Sequence, residues 1–459
     1  MVKQNSSNSN NCEIKLETLN TILIKPSKPT PPHLQTFKLS LFDQLSPNIH
    51  GNTTFFYPNH SSHSFSQKSK LLQNSLSQTL SLFYPLAGRV QDATTINCTD
   101  HGVFFVESQT TTTLSDILTI PNFNTLECFL PTTQEKQNML LVLRFTLFSC
   151  GSTSITVSLT HKIVDFNTLI TFLTTWTSLC DGTRLVSFPD LTTAATLFPP
   201  REIPGMSASI ITSTKKFTTR RFIFEASKIE ELKRKIKSKI ECQNEFQFHP
   251  SRVEVVLALI WKCALSAFSR SKTTSFKQRS ILFQAVNLRP RMDPTIPETA
   301  VGNFVWPFAV TVEEESHVAL HEMVKRMRKG IIDFIEKKAE RFKDEGGFKV
   351  VMESLKERVE ILKGNNENEK EGSLVIYKCS SWCKFPLLEF DFGWGKPVWS
   401  CSVNNMVSNT IALMDTKDGG GVEAFVTLDE DEMGFFEQDQ ELLQYALLNP
   451  RIEALLMLP

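Results

Sequence analysis

The sequence predicts a mixed α/β (α+β) chain built from two domains, and three observations carry that expectation. At 459 residues the chain exceeds what one hydrophobic core ordinarily organises, which favours two large domains. Short β-branched or alternating runs cluster ahead of residue 161, as the strands of one sheet would. Past a Pro-, Ser- and Thr-rich stretch around Pro199–Lys216, helical periodicity takes over.

The chain starts Asn- and Ser-rich, so residues 1–15 read as disordered, and the Pro-rich Lys25–Pro32 reads as an extended connector, with packing expected from about Leu34. Gln67–Tyr84 sets Leu71, Leu72, Leu76, Leu80 and Phe83 on a helical stripe that ends at Pro85 and Gly88. Cys98–Glu107, Leu140–Phe148 and Ser154–Thr160 read as strands. Beyond the connector at 201–220 come a strand at Thr219–Phe224 and a basic helix at Ser227–Ile240. A second helix at Val253–Phe268 is apolar nearly all round and therefore buried. Helices dominate Glu315–Lys363, and Gly364–Gly372 reads as a solvated loop. Thr410–Asp415 and Val422–Leu428 read as a hairpin. The glycines between them are no phosphate loop, because no Lys-Ser/Thr follows and no helix begins there.

Composition narrows the function classes. Lys plus Arg and Asp plus Glu are 49 each, so no net field draws in nucleic acid or an anionic membrane. No signal-peptide core and no membrane-length apolar run is found, and a cytoplasmic monomer is expected. Ten scattered cysteines without a C-x-x-C pair read as reduced thiols, with no metal site. The 35 Phe against 4 Tyr suit an apolar small-molecule pocket, though most of those rings serve as core.

Two strings carry chemistry. An alternating strand (Ile155, Val157, Leu159) runs into His161-Lys162-Ile163-Val164-Asp165 and then a helix, so the sheet can present the His161 imidazole rigidly to a pocket. Asp165 either orients that imidazole or anchors the turn, by pairing with a distant cation or by capping the helix. The second string, Asp391-Phe392-Gly393-Trp394-Gly395, contains the D-F-G of kinases but lacks their Gly-rich and H-R-D loops. Its glycines instead let the backbone turn about a large ring, which suits a loop lock.

H-x-x-x-D followed about 230 residues later by D-F-G-W-G resembles the plant BAHD acyltransferase family, which uses acyl-CoA donors. Leu39–Gln44 (LSLFDQ), Tyr84–Arg89 (YPLAGR), Val286–Pro290 (VNLRP), Gly302-Asn303 and Ser381-Trp382 resemble further landmarks of that family in the same order. The resemblance implies two chloramphenicol acetyltransferase-like domains, 16–200 and 221–459, with a solvent channel between them and the segment at about 375–402 able to cross back to the first. It implies acyl-CoA, acetyl-CoA above all, as co-substrate rather than a tightly bound cofactor, and a small-molecule acceptor as the other partner. His161 is implied to be the general base of a direct transfer. Asp165 is implied to pair with Arg289, and Asp391, Gly393, Trp394 and Gly395 to stabilise the fold. Ser380 and Trp382 match positions near the oxyanion, with Ser381 an alternative to its neighbour. Ser251, Arg252, Lys384 and the basic helix from Lys228 to Lys239 are candidates for the CoA phosphates.

The sequence departs from the family at Phe166, where many members have Gly, and at Ser152 of Cys150-Gly151-Ser152, where Cys-Gly-Gly is common. Phe166 adds an apolar wall beside the base. It also fits the branch that includes vinorine synthase, so the expected activity is O-acylation of a specialised metabolite (alkaloid, terpenoid, sugar or similar) with a short acyl group. N-acylation of an amine and a catalytically silent metabolite-binding homologue stand as alternatives.

Overall fold

The computed structural model describes residues 14–182, 185–203, 216–241, 248–272, 279–313, 319–343, 346–363, 374–403 and 407–452. It is a mixed α/β fold around two large sheets. The first has six strands in the order Leu16–Ile24, Val103–Thr110, Leu141–Leu147, Thr153–Thr160, His50–Tyr57 and Trp399–Cys401. The second has seven, in the order Val305–Glu313, Arg279–Asn287, Leu374–Ser381, Thr410–Asp415, Val422–Asp429, Phe217–Phe224 and Leu447–Leu448. Each mixes parallel and antiparallel pairs: Val103–Thr110 runs parallel to Leu141–Leu147, and Leu374–Ser381 runs parallel to both its neighbours.

The strand leading to His161 is buried along its whole length, Thr153 to Thr160, between two neighbours in the sheet. One face is covered by the helices Phe65–Leu82 and Phe166–Asp181, joined where the Trp176 indole donates to Ser75 Oγ at 3.0 Å. In the second half the helix Arg252–Ser271 buries residues on all sides, as its near-uniform apolar sequence requires.

The two cores are stitched by exchanged segments. Leu41 and Phe42, early in the chain, pack in the second core, where Phe42 meets Phe198 at 4.4 Å and Trp306 at 5.5 Å between ring centroids. Conversely, the chain leaves the second sheet after Ser381 and returns to the first, where Trp399–Cys401 pairs antiparallel with the strand His50–Tyr57. Trp399 stacks on Phe56 while its indole N–H donates to Glu423 of the second sheet at 3.0 Å. Each half therefore carries part of the other's core, and the cleft between them is fixed by packing.

Two local expectations need correction. Order begins well before Leu34: Leu16–Ile24 is an edge strand paired with Val103–Thr110, and its mostly exposed side chains show no apolar alternation. The strand expected over Cys98–Glu107 is broken at Asp100 and Gly102, whose φ angles are 54° and 88°, and begins only at Val103. Asp100 there accepts the Thr30 amide and hydroxyl, so a tertiary contact sets the turn. Residues 1–13, most of the connector at 201–220 and the loop Gly364–Gly372 lie outside the described residues.

Candidate active site

A cavity of about 150 Å3 opens where the two sheets meet. His161, Phe166 and Leu169 line it from the first half, Gly51–Thr53 from the neighbouring strand, and Asn287, Ser380, Ser381, Trp382 and Phe385 from the second. Among the described residues that line it there is no lysine, arginine or cysteine.

His161 follows the last residue of its strand. Its backbone N–H donates to the Ile49 carbonyl at 2.7 Å, and its own carbonyl accepts from Asn303 Nδ2 at 2.8 Å. The main chain at this position is thus held from both sides. The ring itself is exposed, but to an interior space with protein on its flanks. Desolvation accordingly pushes the imidazole pKa below its ordinary value, opposed by the Asn303 side chain and the Asp165 carboxylate. The neutral, proton-accepting form is favoured.

Asp165 caps the helix Phe166–Asp181, its Oδ1 accepting the Thr168 amide at 2.8 Å. Arg289 reaches the same carboxylate with two nitrogens, at 2.6 Å to Oδ2 and 3.2 Å to Oδ1, and the Phe304 amide adds a bond of 3.0 Å. Both oxygens are occupied by these donors, so the carboxylate anchors the turn and does not act as the imidazole's hydrogen-bond partner. Arg289 also donates to the carbonyls of Ala300 (2.8 Å) and Gly302 (3.3 Å) and to the Thr168 hydroxyl (3.3 Å), and it lies over the Phe304 ring.

Asn303 extends the network. Its amide and Nδ2 both donate to Asp43 Oδ1 at 2.8 Å, and Asp43 Oδ2 accepts from the Ser40 amide and hydroxyl. Burial raises the Asp43 carboxyl pKa, with the Ser40 and Asn303 hydrogen bonds opposing it. The strings LSLFDQ, HKIVD, VNLRP and Gly302-Asn303 are therefore one buried assembly around His161. Sequence reasoning singled out the strings but missed that Asn303 holds the histidine's backbone; no local periodicity signals such a contact.

On the far wall, the ring of Phe166 lies flat against the Trp382 indole, with centroids 4.3 Å apart and planes within 2°. Phe385 abuts Phe166 edge-on at 5.2 Å. The Trp382 amide is pinned to the Leu413 carbonyl at 2.6 Å. Trp176, Trp261, Trp306 and Trp399 all donate their indole N–H to protein partners. Trp382 has no such partner among the described residues.

The D-F-G-W-G segment stands off the cavity: none of its residues lines it. Asp391 Oδ1 accepts the amides of Gly393 and Gly395 at 2.8 and 2.9 Å, a turn that needs their φ angles of 100° and 110°. Phe392 and Trp394 then pack on Tyr57 and Trp176 of the first half.

The residues considered for CoA phosphates lie elsewhere. The Ser251 hydroxyl caps the helix Arg252–Ser271, accepting the Glu254 amide. Arg252 donates to Asp415 and to the carbonyls of Gly419 and Gly420, and the backbone amide of the exposed Lys384 meets the same Asp415 at 2.6 Å. The basic helix carries Lys228–Glu231 and Lys233–Glu230 ion pairs along its surface. Among the described residues no helix is long and apolar enough to cross a membrane, and no cluster of metal-ligating side chains occurs.

Comparison with known proteins places this architecture. The profile of the Transferase family matches residues 14–443. The chain is 36% identical over 476 aligned positions to the BAHD acyltransferase BIA1 of Arabidopsis thaliana, covering 96% of this chain and 100% of the relative. It is 32% identical over 455 positions to limonoid 1-O-acetyltransferase of Citrus sinensis, covering 95% and 99%. The crystal structure of vinorine synthase superposes with a TM-score of 0.80 at 30% identity, over 96% of this chain and all of that one. The chain therefore belongs to the Transferase family, as a BAHD acyltransferase similar to vinorine synthase.

Proposed function

We propose that this acyltransferase moves an acetyl or similarly short acyl group from CoA to a hydroxyl of a plant specialised metabolite, with His161 as general base. The observation that carries the proposal is the placement of a neutral-favouring imidazole, fixed through its backbone, in a cavity shared by both halves. The imidazole takes the acceptor hydroxyl proton as the oxygen attacks the thioester carbonyl. The tetrahedral oxyanion then collapses, expelling the CoA thiolate, which recovers the proton from His161. No acyl-enzyme is needed in this scheme: the acyl group passes directly from CoA to the acceptor within a ternary complex.

Trp382 supplies the oxyanion donor in this scheme: its indole N–H lacks a protein partner among the described residues while its ring lines the cavity. Ser380, beside it, is the second donor. Asp165 and Arg289 position the turn, and Asp391, Gly393, Trp394 and Gly395 lock the crossing segment. At the CoA side, the exposed Lys384 ammonium has no ion-pair partner among the described residues, whereas Arg252 is paired with Asp415. The name of one relative, limonoid 1-O-acetyltransferase, supports acetyl transfer to oxygen.

The test is release of free CoA from acetyl-CoA by purified protein against a panel of alkaloid and terpenoid alcohols paired with the corresponding amines, products identified by mass. An acetylated alcohol, lost in His161→Ala protein of unchanged circular dichroism, is the expected result. Full turnover by that variant would remove His161 as the base, and acetylated amines alone would reassign the acceptor class.

A further inference from the structure

The geometry points to Phe166 as the residue that limits the length of acyl group this chain accepts, an inference that rests on the acyl-transfer reading above. The cavity at His161 measures about 150 Å3. Apolar cavities of roughly that volume hold a single benzene. The space at the base must contain the thioester carbonyl, the end of the acceptor and the whole acyl tail together, whereas the rest of the acceptor and the pantetheine arm can extend outward. An acetyl group meets that constraint. A tail that itself contains a ring does not, so long as Phe166 keeps its place.

That place is over-determined. Phe166 opens a helix whose cap, Asp165, is held by Arg289, so its backbone cannot drift. Its ring is held against Trp382 in a parallel stack at 4.3 Å and blocked edge-on by Phe385 at 5.2 Å. Trp382 and Phe385 belong to one tight turn, the Phe385 amide donating to the Trp382 carbonyl at 3.3 Å, and that turn hangs from the second sheet through Leu413. The stack therefore spans the two halves, and swinging the Phe166 ring aside would break its contacts with both Trp382 and Phe385. Stacked aromatic pairs of this kind are favourable beyond the area they bury. Among the described lining residues there is no Lys or Arg, so the carboxylate of a malonyl-type acyl group would be desolvated with no cationic partner from them.

The experiment measures acetyl-, hexanoyl-, benzoyl- and malonyl-CoA with wild type, Phe166→Ala and Phe166→Leu. Binding is read by calorimetry without acceptor, and kcat/KM is read with the alcohol that wild type acetylates. The expected result is strong wild-type preference for acetyl-CoA over the hexanoyl, benzoyl and malonyl donors. In Phe166→Ala the benzoyl-to-acetyl ratio should rise by at least about tenfold, the scale on which apolar pockets discriminate by size. Phe166→Leu, which keeps apolar packing on Trp382, should move the hexanoyl ratio in the same direction and guards against misfolding of the alanine protein. Donor ratios within twofold of wild type in both folded variants would overturn the inference, as would a changed acceptor range with unchanged donor ratios. Failure of wild type to bind or turn over any acyl-CoA is a different outcome, which sinks the acyl-transfer reading itself.

Discussion

Arg289 and Asp165 form a bidentate ion pair, 2.6 and 3.2 Å, between side chains only 0% and 1% exposed and 124 residues apart in sequence. The pair joins the second half of the chain to the turn that carries His161. Two charges at such depth are stable only because each is multiply hydrogen-bonded. Deleting one partner strands the other, so Arg289→Ala should cost about 3–5 kcal/mol in denaturant unfolding. Asp165→Asn keeps the helix cap but loses the charge, and should lower stability less while reducing kcat through a loosened His161 turn. Wild-type stability in Arg289→Ala protein would contradict the anchoring role.

The His161 pKa is lowered chiefly by desolvation. Protonation removes the base, so rate falls as pH drops through that pKa. The acid limb of kcat/KM against pH, which reports the free enzyme, should therefore lie below the ordinary histidine value of about 6.5. His161→Ala should lower kcat by about a hundred- to ten-thousandfold, and the residual rate should lose this limb. A midpoint at or above the ordinary value would show that burial does not govern the imidazole.

Asn303 bonds the His161 carbonyl and gives Asp43 two donors. Asn303→Ala removes the side-chain donor from both and withdraws a contribution that raises the imidazole pKa. Stability should fall by about 1–3 kcal/mol, the cost of an unsatisfied buried group, and the acid limb should move further down. A stability loss with the limb unmoved would confine Asn303 to packing.

Trp382→Phe tests the indole N–H apart from the stack, because a phenyl ring can still lie on Phe166. Removal of one oxyanion donor costs about a hundredfold or more in kcat where such donors operate. The expected pattern is a fall of kcat with KM nearly unchanged. A change in KM alone would make Trp382 a wall and leave the oxyanion to Ser380 or Ser381.

Asp391→Ala should destabilise by about 1–3 kcal/mol, since the amides of Gly393 and Gly395 lose their acceptor and the turn that seats Trp394 loosens. With no residue of this segment in the cavity lining, kcat of the folded fraction should change far less than stability. Thermal melts and active-site-normalised rates on the same sample separate the two.

Much of this protein was legible in order of sequence. The run before His161 announced its strand by alternating Ile155, Val157 and Leu159 with Ser and Thr, although the structure buries both faces, and the nearly all-apolar Val253–Phe268 announced a buried helix. The edge strand Leu16–Ile24 was not legible, because an edge strand with exposed side chains is defined by its partner's hydrogen bonds and not by its own hydrophobicity. The four-residue spacing of His161 and Asp165 in H-x-x-x-D likewise left Asp165 between orienting the imidazole and anchoring the turn.

By itself the sequence determined the family, the candidate for the base and the position of the aromatic departure, because these are written in residue identities and their order. The pairing of Asp165 with Arg289 was implied only by family resemblance and is seen in the structure, whereas tertiary structure alone decided that Asn303 holds the His161 backbone and that Phe166 stacks on Trp382. Each of those contacts joins residues more than a hundred positions apart. Their geometry follows from how two sheets and their exchanged segments pack, and no local pattern in the chain encodes it.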